Sequence, residues 1–268
     1  VGTSKRSRQK ANRAIGRAQA ERTQARNKTR KRIIQFGVGI PVIILGLFLL
    51  VNLVVDDDDS SNGAIDVTDT TAITDDTAIT GDTPCPATDG MQTPTTSFAS
   101  APPMCIDPTK TYTATFTTSQ GVIEVVLDTA NTPETVNNFV VLSRYRYYDS
   151  SLLFRTDPSL DIIQGGGKSN TDSPGYVIPD EGSGYTYQAG DLMMARTNAP
   201  NSAGAQFFFA TGPNVSVLDS QGTYVKFGKV TSGQDVLTKI MALHSGPAEG
   251  SGAPDPEVVV ESIVISES

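Results

Sequence analysis

The chain has 268 residues, room for one large domain or two small ones, and its formal net charge of −8 conceals a strong separation of charge. Residues 1–32 hold twelve Lys or Arg and one acid, Glu21, whereas everything after residue 55 holds nine basic residues and 28 acids. That division argues against a soluble protein of a single compartment.

Between the two blocks lies Ile33–Val55, 23 residues without a charge. As a helix it would reach about 34 Å at 1.5 Å per residue, enough for a hydrocarbon core of about 30 Å. Gln35 and Asn52 stand near its ends, and Pro41 is tolerable in a membrane helix. The run is too long for a signal-peptide core, and no small-residue cleavage site precedes Asp56–Asp59. The reading is an uncleaved anchor with a basic cytoplasmic tail, residues 1–32, and the C-terminal bulk outside. The tail would lie against anionic lipid headgroups; no nucleic-acid partner is expected.

Residues 56–109 read as an acidic, Thr-rich tether. Its first part, 56–84, has too few large apolar side chains to offset its ordering entropy. Cys85 and Cys105 are the only cysteines, and in an extracytoplasmic setting an even count points to a disulfide. Two thiols without a nearby His are a poor metal set, and their spacing is far from C-x-x-C. No metal or other cofactor is expected.

From 110 to 268 the pattern becomes that of a folded domain. Thr111–Thr118 alternates, Ser119–Gly121 has turn chemistry, and Val122–Leu127 continues as a second strand. A helix begins with Thr132 as its expected cap and Pro133 in its first turn. Short strands are then expected at 152–155, 161–163, 191–196, 206–210, 224–230 and 257–265. A second short helix is expected at 234–241, with Ser232 as its cap. Many short strands with two helices predict a mainly β fold, a closed antiparallel barrel.

Several blocks in order resemble the cyclophilins, a family of peptidyl-prolyl cis-trans isomerases. They are TTSQGVIEVVL (117–127), PETVNNF (133–139), YYD (147–149), FRTDP (154–158), IIQGGG (162–167), SPGY (173–176), MARTNAPNSAGAQFF (194–208), VLD (217–219) and KFGKV (226–230). The chain as a whole resembles a bacterial, membrane-anchored member. The resemblance implies an eight-stranded barrel capped by two helices, with a groove on its outer face that takes proline-containing polypeptides.

It also implies site residues. The family's arginine falls on Arg155 if the segment is anchored at Tyr148-Asp149, or on Thr156 if it is anchored at Gln164; the first keeps both the charged donor and Pro158. Gln164 and Gln206 resemble polar groove residues. Phe154, Leu160, Met194 and Phe208 resemble the apolar pocket wall, joined by Val217, Leu218 and Tyr224. Ala195, with Thr197 or Asn198, resembles the edge that pairs with a peptide. Where the family often has Trp and His, this chain has Val217 and Tyr224, a departure at two positions that normally shape the family's proline pocket.

Rival chemistries fit less well. His244 is the only histidine, which leaves no base for a hydrolytic triad elsewhere. Gly165-Gly166-Gly167-Lys168-Ser169 fails the phosphate-loop spacing because residue 162 is Ile. A non-catalytic module that binds proline peptides remains the alternative to an isomerase acting on extracytoplasmic proteins.

Overall fold

The computed structural model describes residues 77–268. The basic tail, the run Ile33–Val55 and the tether up to residue 76 lie outside the described residues. Among those described, no helix is long and apolar enough to cross a membrane.

The strands, in chain order, are β1 (Thr77–Ile79), β2 (Thr95–Phe98), β3 (Tyr112–Thr118), β4 (Gly121–Leu127), β5 (Ser151–Leu152), β6 (Arg155–Asp157), β7 (Ile162–Gly165), β8 (Asp191–Met194), β9 (Phe207–Ala210), β10 (Lys226–Ser232), β11 (His244–Ser245), β12 (Ala253–Pro254) and β13 (Val259–Glu267). The described residues also form two helices, α1 (Pro133–Arg144) and α2 (Gln234–Ala242), and a 3-10 helix at Pro213–Ser220.

Period-two alternation builds the main sheet. In β3, Tyr112, Ala114 and Phe116 are buried; in β4, Ile123, Val125 and Leu127 are buried while Val122, Glu124 and Val126 face solvent. The sheet has nine antiparallel strands in the order β5-β13-β3-β4-β10-β8-β9-β7-β6. Its end strands, β5 and β6, are neighbours in the chain, so the sheet curls back on itself. The expected count of eight is low by one. The run 152–155 is divided at Leu153-Phe154, and its two parts pair with different neighbours, β13 and β7.

Inside the curl, Phe116 meets the rings of Phe207 and Phe209 edge-on at 5.5 and 5.3 Å. Helix α1 adds Val136, Phe139 and Val140, and α2 adds Leu237 and Ile240. Both expected caps differ. The Thr132 hydroxyl donates back to Asp128 O and makes no capping hydrogen bond to the helix. The carboxylate of Glu181 takes that role, accepting from the N–H groups of Glu134 and Thr135 at 2.9 and 2.8 Å. Anionic oxygens there also meet the positive end of the helix dipole. Helix α2 starts from Gly233 in the left-handed region rather than from Ser232.

The boundary expected at residue 110 moves towards the N-terminus. Strands β1 and β2 pair in parallel, and the segment to residue 106 packs on the domain as a strap. Phe98 is 2% exposed, between Tyr145 and Tyr176, and Ile106 is buried. The Tyr145 hydroxyl donates to Pro84 O, Asn137 Nδ2 donates to Pro103 O, and Cys105 N donates to Asn137 Oδ1. The expected Cys85–Cys105 disulfide is formed.

Two outcomes test this account. Glu181→Ala removes a helix cap and is expected to lower stability by about 1–2 kcal/mol in denaturant unfolding, with Thr132→Ala costing less. Limited proteolysis of the full chain is expected to spare the strap between residues 84 and 106; early cleavage there would contradict its docking.

Candidate active site

The site stands on the outer face of β6–β9. Strands β8 and β9 are buried on both faces. Leu192, Met194, Phe207 and Phe209 enter the interior cluster, and alternation sends Met193, Phe208 and Ala210 to the other side. There they meet Ile162 of β7. The 3-10 helix covers this second apolar cluster with Val215 and Leu218, and Leu160, Ala195, Tyr185 and Tyr224 form its rim. Tyr224 turns its ring edge to Phe208 at 5.2 Å. Burial pushes the Tyr187 phenol up to about 12, so it stays protonated. Its hydroxyl donates to Tyr224 O and accepts from Tyr224 N, which fixes Tyr224 in place.

Arg155 borders this cluster at the start of β6, directly across from Gln164 of β7, which in turn lies across from Phe208 of β9. The guanidinium is held on three sides. Its Nε donates to Ser251 Oγ at 2.9 Å, one terminal nitrogen to Gln164 Oε1 at 3.0 Å, and the other to Asp157 Oδ2 at 2.9 Å. Guanidinium has five N–H donors; with three committed, two remain. The side chain keeps 33% of its exposure, so those two are reachable. Gln164 Nε2 donates to Gln206 Oε1, and Gln206 Nε2 to Asp172 O, so a one-way relay runs from the arginine along the groove.

Asp157 and Ser251 are partners that the sequence did not reveal. Ser251 Oγ donates to Asp157 Oδ2 at 2.8 Å, closing a triangle with the guanidinium. Burial disfavours the Asp157 carboxylate, but hydrogen bonds from Ser159, Ser251 and Arg155, with the arginine charge, carry its pKa below the ordinary value. Ser251 sits on a loop pinned by His244. The Pro247 carbonyl accepts from His244 Nε2 at 3.0 Å, and Nδ1 lies 2.7 Å from the Thr156 hydroxyl. His244 is therefore a structural pivot behind the arginine rather than an incidental surface residue.

Thr156 is 0% exposed, on the side of β6 away from the groove. The geometry thus presents Arg155, not Thr156, to the outer face. Leu160, Gln164, Ala195, Gln206, Phe208, Leu218 and Tyr224 all gather here. Three expected residues do not. Met194 lies in the interior cluster, because the strand sends its neighbour Met193 outward. Val217 is 62% exposed, while its 3-10 helix buries Val215 and Leu218. Phe154 is half-buried and is not among the side chains packed around Phe208. Ile162 and Met193 were missed; alternation from Gln164 would have found Ile162, whereas Met193 follows from the register of β8 against β9, which pairs it with Phe208.

Beside the relay opens a cavity of about 300 Å³, lined by Gln164, Gln206, Ala195, Arg196, Pro174 and Tyr176. Arg196 pairs with Asp180 at 3.1 Å. The Ala195 N–H is committed to Gln206 O and that of Thr197 to Ser202 Oγ. In the triple-glycine turn, Gly166 has φ +97°, and a Cβ there would come within 2.8 Å of Gln206 Cα, so only glycine allows this approach. Among the described residues no cluster of three or more metal-binding side chains occurs.

Residues 113–265, more than half of the chain, match the family described as cyclophilin type peptidyl-prolyl cis-trans isomerase/CLD. The chain is 35% identical to peptidyl-prolyl cis-trans isomerase cyp18 of Streptomyces antibioticus over 168 residues, covering 57% of this chain and 98% of that protein. It is 32% identical to peptidyl-prolyl cis-trans isomerase B of Escherichia coli (strain K12), covering 57% and 99%. Among solved structures, a Cryptosporidium parvum cyclophilin type peptidyl-prolyl cis-trans isomerase is similar with a TM-score of 0.50 and 26% identity, over 59% of this chain and 99% of that one. The same protein has been solved in the presence of the dipeptide Ala-Pro.

The Asp157 pair carries a pH signature. A carboxyl whose folded pKa is depressed stabilises the fold above its unfolded value, about 4, and loses that contribution as pH falls through the folded value. Asp157→Asn is expected to cost about 1–3 kcal/mol at pH 7 in urea unfolding. The gap to wild type should narrow as pH drops below about 4; a gap constant down to about pH 3 would refute the assignment.

Proposed function

The chain belongs to the cyclophilin-type peptidyl-prolyl cis-trans isomerase family and is an enzyme of that kind; we propose that Arg155 is its catalytic group and that it assists the folding of proteins outside the cytoplasm. No covalent bond breaks in this reaction. Amide resonance holds the C–N bond planar with a rotation barrier of about 18–20 kcal/mol. In the twisted state the prolyl nitrogen regains a lone pair, and a donor aimed at it stabilises that state more than either planar one. The two uncommitted N–H groups of Arg155 supply such a donor, held by Gln164, Asp157 and Ser251. The rim of Leu160, Ala195 and Tyr224 around Phe208 would take the prolyl ring. With Val217 turned to solvent, that seat lacks one wall, and the loss falls on ring binding.

The observation that carries this reading is a reachable guanidinium fixed beside the Phe208 cluster. The uncharged run Ile33–Val55 with its basic flank supports a single-pass anchor, the tail 1–32 on anionic headgroups, and the domain outside. The Cys85–Cys105 disulfide fits an oxidising compartment. The Leu152 N to Gly167 O hydrogen bond, which joins β5 to the segment just past β7, supports reading the curled sheet as a closed barrel.

Arg155→Ala is expected to lower kcat/KM by one to two orders of magnitude, about 1.4 kcal/mol for each, in a protease-coupled proline assay. The fold should survive, with a stability loss of about 1–3 kcal/mol because the Asp157 carboxylate loses a partner. Arg155→Lys should also be poor, since an ammonium does not reproduce the planar fork. If wild type gave no acceleration yet bound proline peptides, the non-catalytic module would be the better description.

A further inference from the structure

We propose that the disulfide-closed strap, residues 78–106, is a positioning device for peptide binding: it holds one wall of the cavity beside Gln164 and Gln206. It thereby sets affinity for the part of a substrate that extends beyond the X–Pro pair. This rests on the isomerase reading above and goes beyond it, because the strap lies wholly before the matched residues 113–265.

The contact between strap and wall is backbone on backbone. Phe98 N donates to Pro174 O at 2.8 Å. Gly175 has φ +101°, and a Cβ on it would collide with the Phe98 carbonyl oxygen, so no side chain separates the two chains. The Phe98 ring then packs edge-on against Tyr176, with centroids 6.2 Å apart. From its other side Tyr176 is held by helix α1: its hydroxyl donates to Asn138 Oδ1 at 2.7 Å, and Asn138 Nδ2 donates to Gly204 O at 2.8 Å. Pro174, Tyr176 and Gly204 all line the cavity. A Cβ on Gly204 would lie 3.1 Å from Tyr176 O and 3.2 Å from Pro174 Cδ, so these walls already touch. A shift of Phe98 therefore reaches the cavity directly.

The strap is itself tied beside both cysteines, to the same helix and to Tyr145, which follows it. Cys105 N donates to Asn137 Oδ1, next to Asn138, and Pro84 O accepts from the Tyr145 hydroxyl. The Cys85–Cys105 bond joins these two anchor points. By contrast, the partners of Arg155 are Gln164, Asp157 and Ser251, none of them in the strap. The device should act on peptide affinity and leave the twisting step alone.

The test uses the full chain in detergent micelles with two probes, a blocked Ala-Pro dipeptide and a six-residue peptide with the same Ala-Pro at its centre. Kd is read by calorimetry and acceleration by the proline assay. Phe98→Ala, and separately Cys85→Ser with Cys105→Ser, are expected to weaken the long peptide about tenfold in Kd and KM, with kcat and the dipeptide Kd within about twofold. Phe98→Leu should restore most of the affinity, which a merely destabilised fold would not show selectively. Equal losses on both probes, or an unchanged long-peptide Kd in both variants, would overturn the proposal. Strap-dependent Kd without acceleration by wild type would support the strap and refute the isomerase reading.

Discussion

Phe208 packs on the outer face of the sheet against Met193, Ile162, Val215 and Leu218, and the rest of the site depends on that placement. The chain offers three consecutive phenylalanines, Phe207–Phe209, and two consecutive methionines, Met193 and Met194. Only the period of the strand decides which of them face inward. A slip of one residue would exchange the interior set for the exterior one and move every side chain of those strands to the other face. The same period places Gln164 beside Ile162, and Arg155 and Asp157 on β6 with buried Thr156 between them. One register thus sets both the apolar seat and the charged group at its border.

Electrostatics then orients what register has placed. An arginine side chain is long and rotamer-rich, and an exposed one would sample many positions. Here a carboxylate, a hydroxyl and an amide oxygen take one donor each, and the planar fork leaves the remaining two directed by default. Two of these partners come from close in sequence, Asp157 and Gln164. The third, Ser251, is 96 residues away and arrives on a loop that His244 pins through Thr156. The sole histidine of the chain thus acts as a strut, and its contribution to the chemistry is indirect.

The strap shows how composition misleads about order. Few large apolar residues lie between residues 56 and 109, so the segment cannot build a core of its own, and reading it as a tether follows. That argument counts only what a segment can bury against itself. Phe98 and Ile106 bury against a surface the domain already provides, and hydrogen bonds to Asn137 and Tyr145 satisfy the backbone around them. The disulfide reduces the freedom that the segment would otherwise lose on docking.

By itself the sequence determined the existence and type of most strands and both helices, the family, the two glutamines beside the groove, and the cysteine pair. These rest on local signals: alternation, turn residues, and blocks of neighbouring residues in order. Tertiary structure alone decided the rest. Glu181 caps a helix 47 residues away, Met193 replaces Met194 at the apolar seat, and Ser251 completes the grip on Arg155. The strap docks on a wall made by residues 174–176. The reason is the same in each case. A hydrogen-bond donor or an exposed apolar face takes whichever partner the curl of the sheet brings near, and that nearness is a property of the folded sheet, not of any window of sequence.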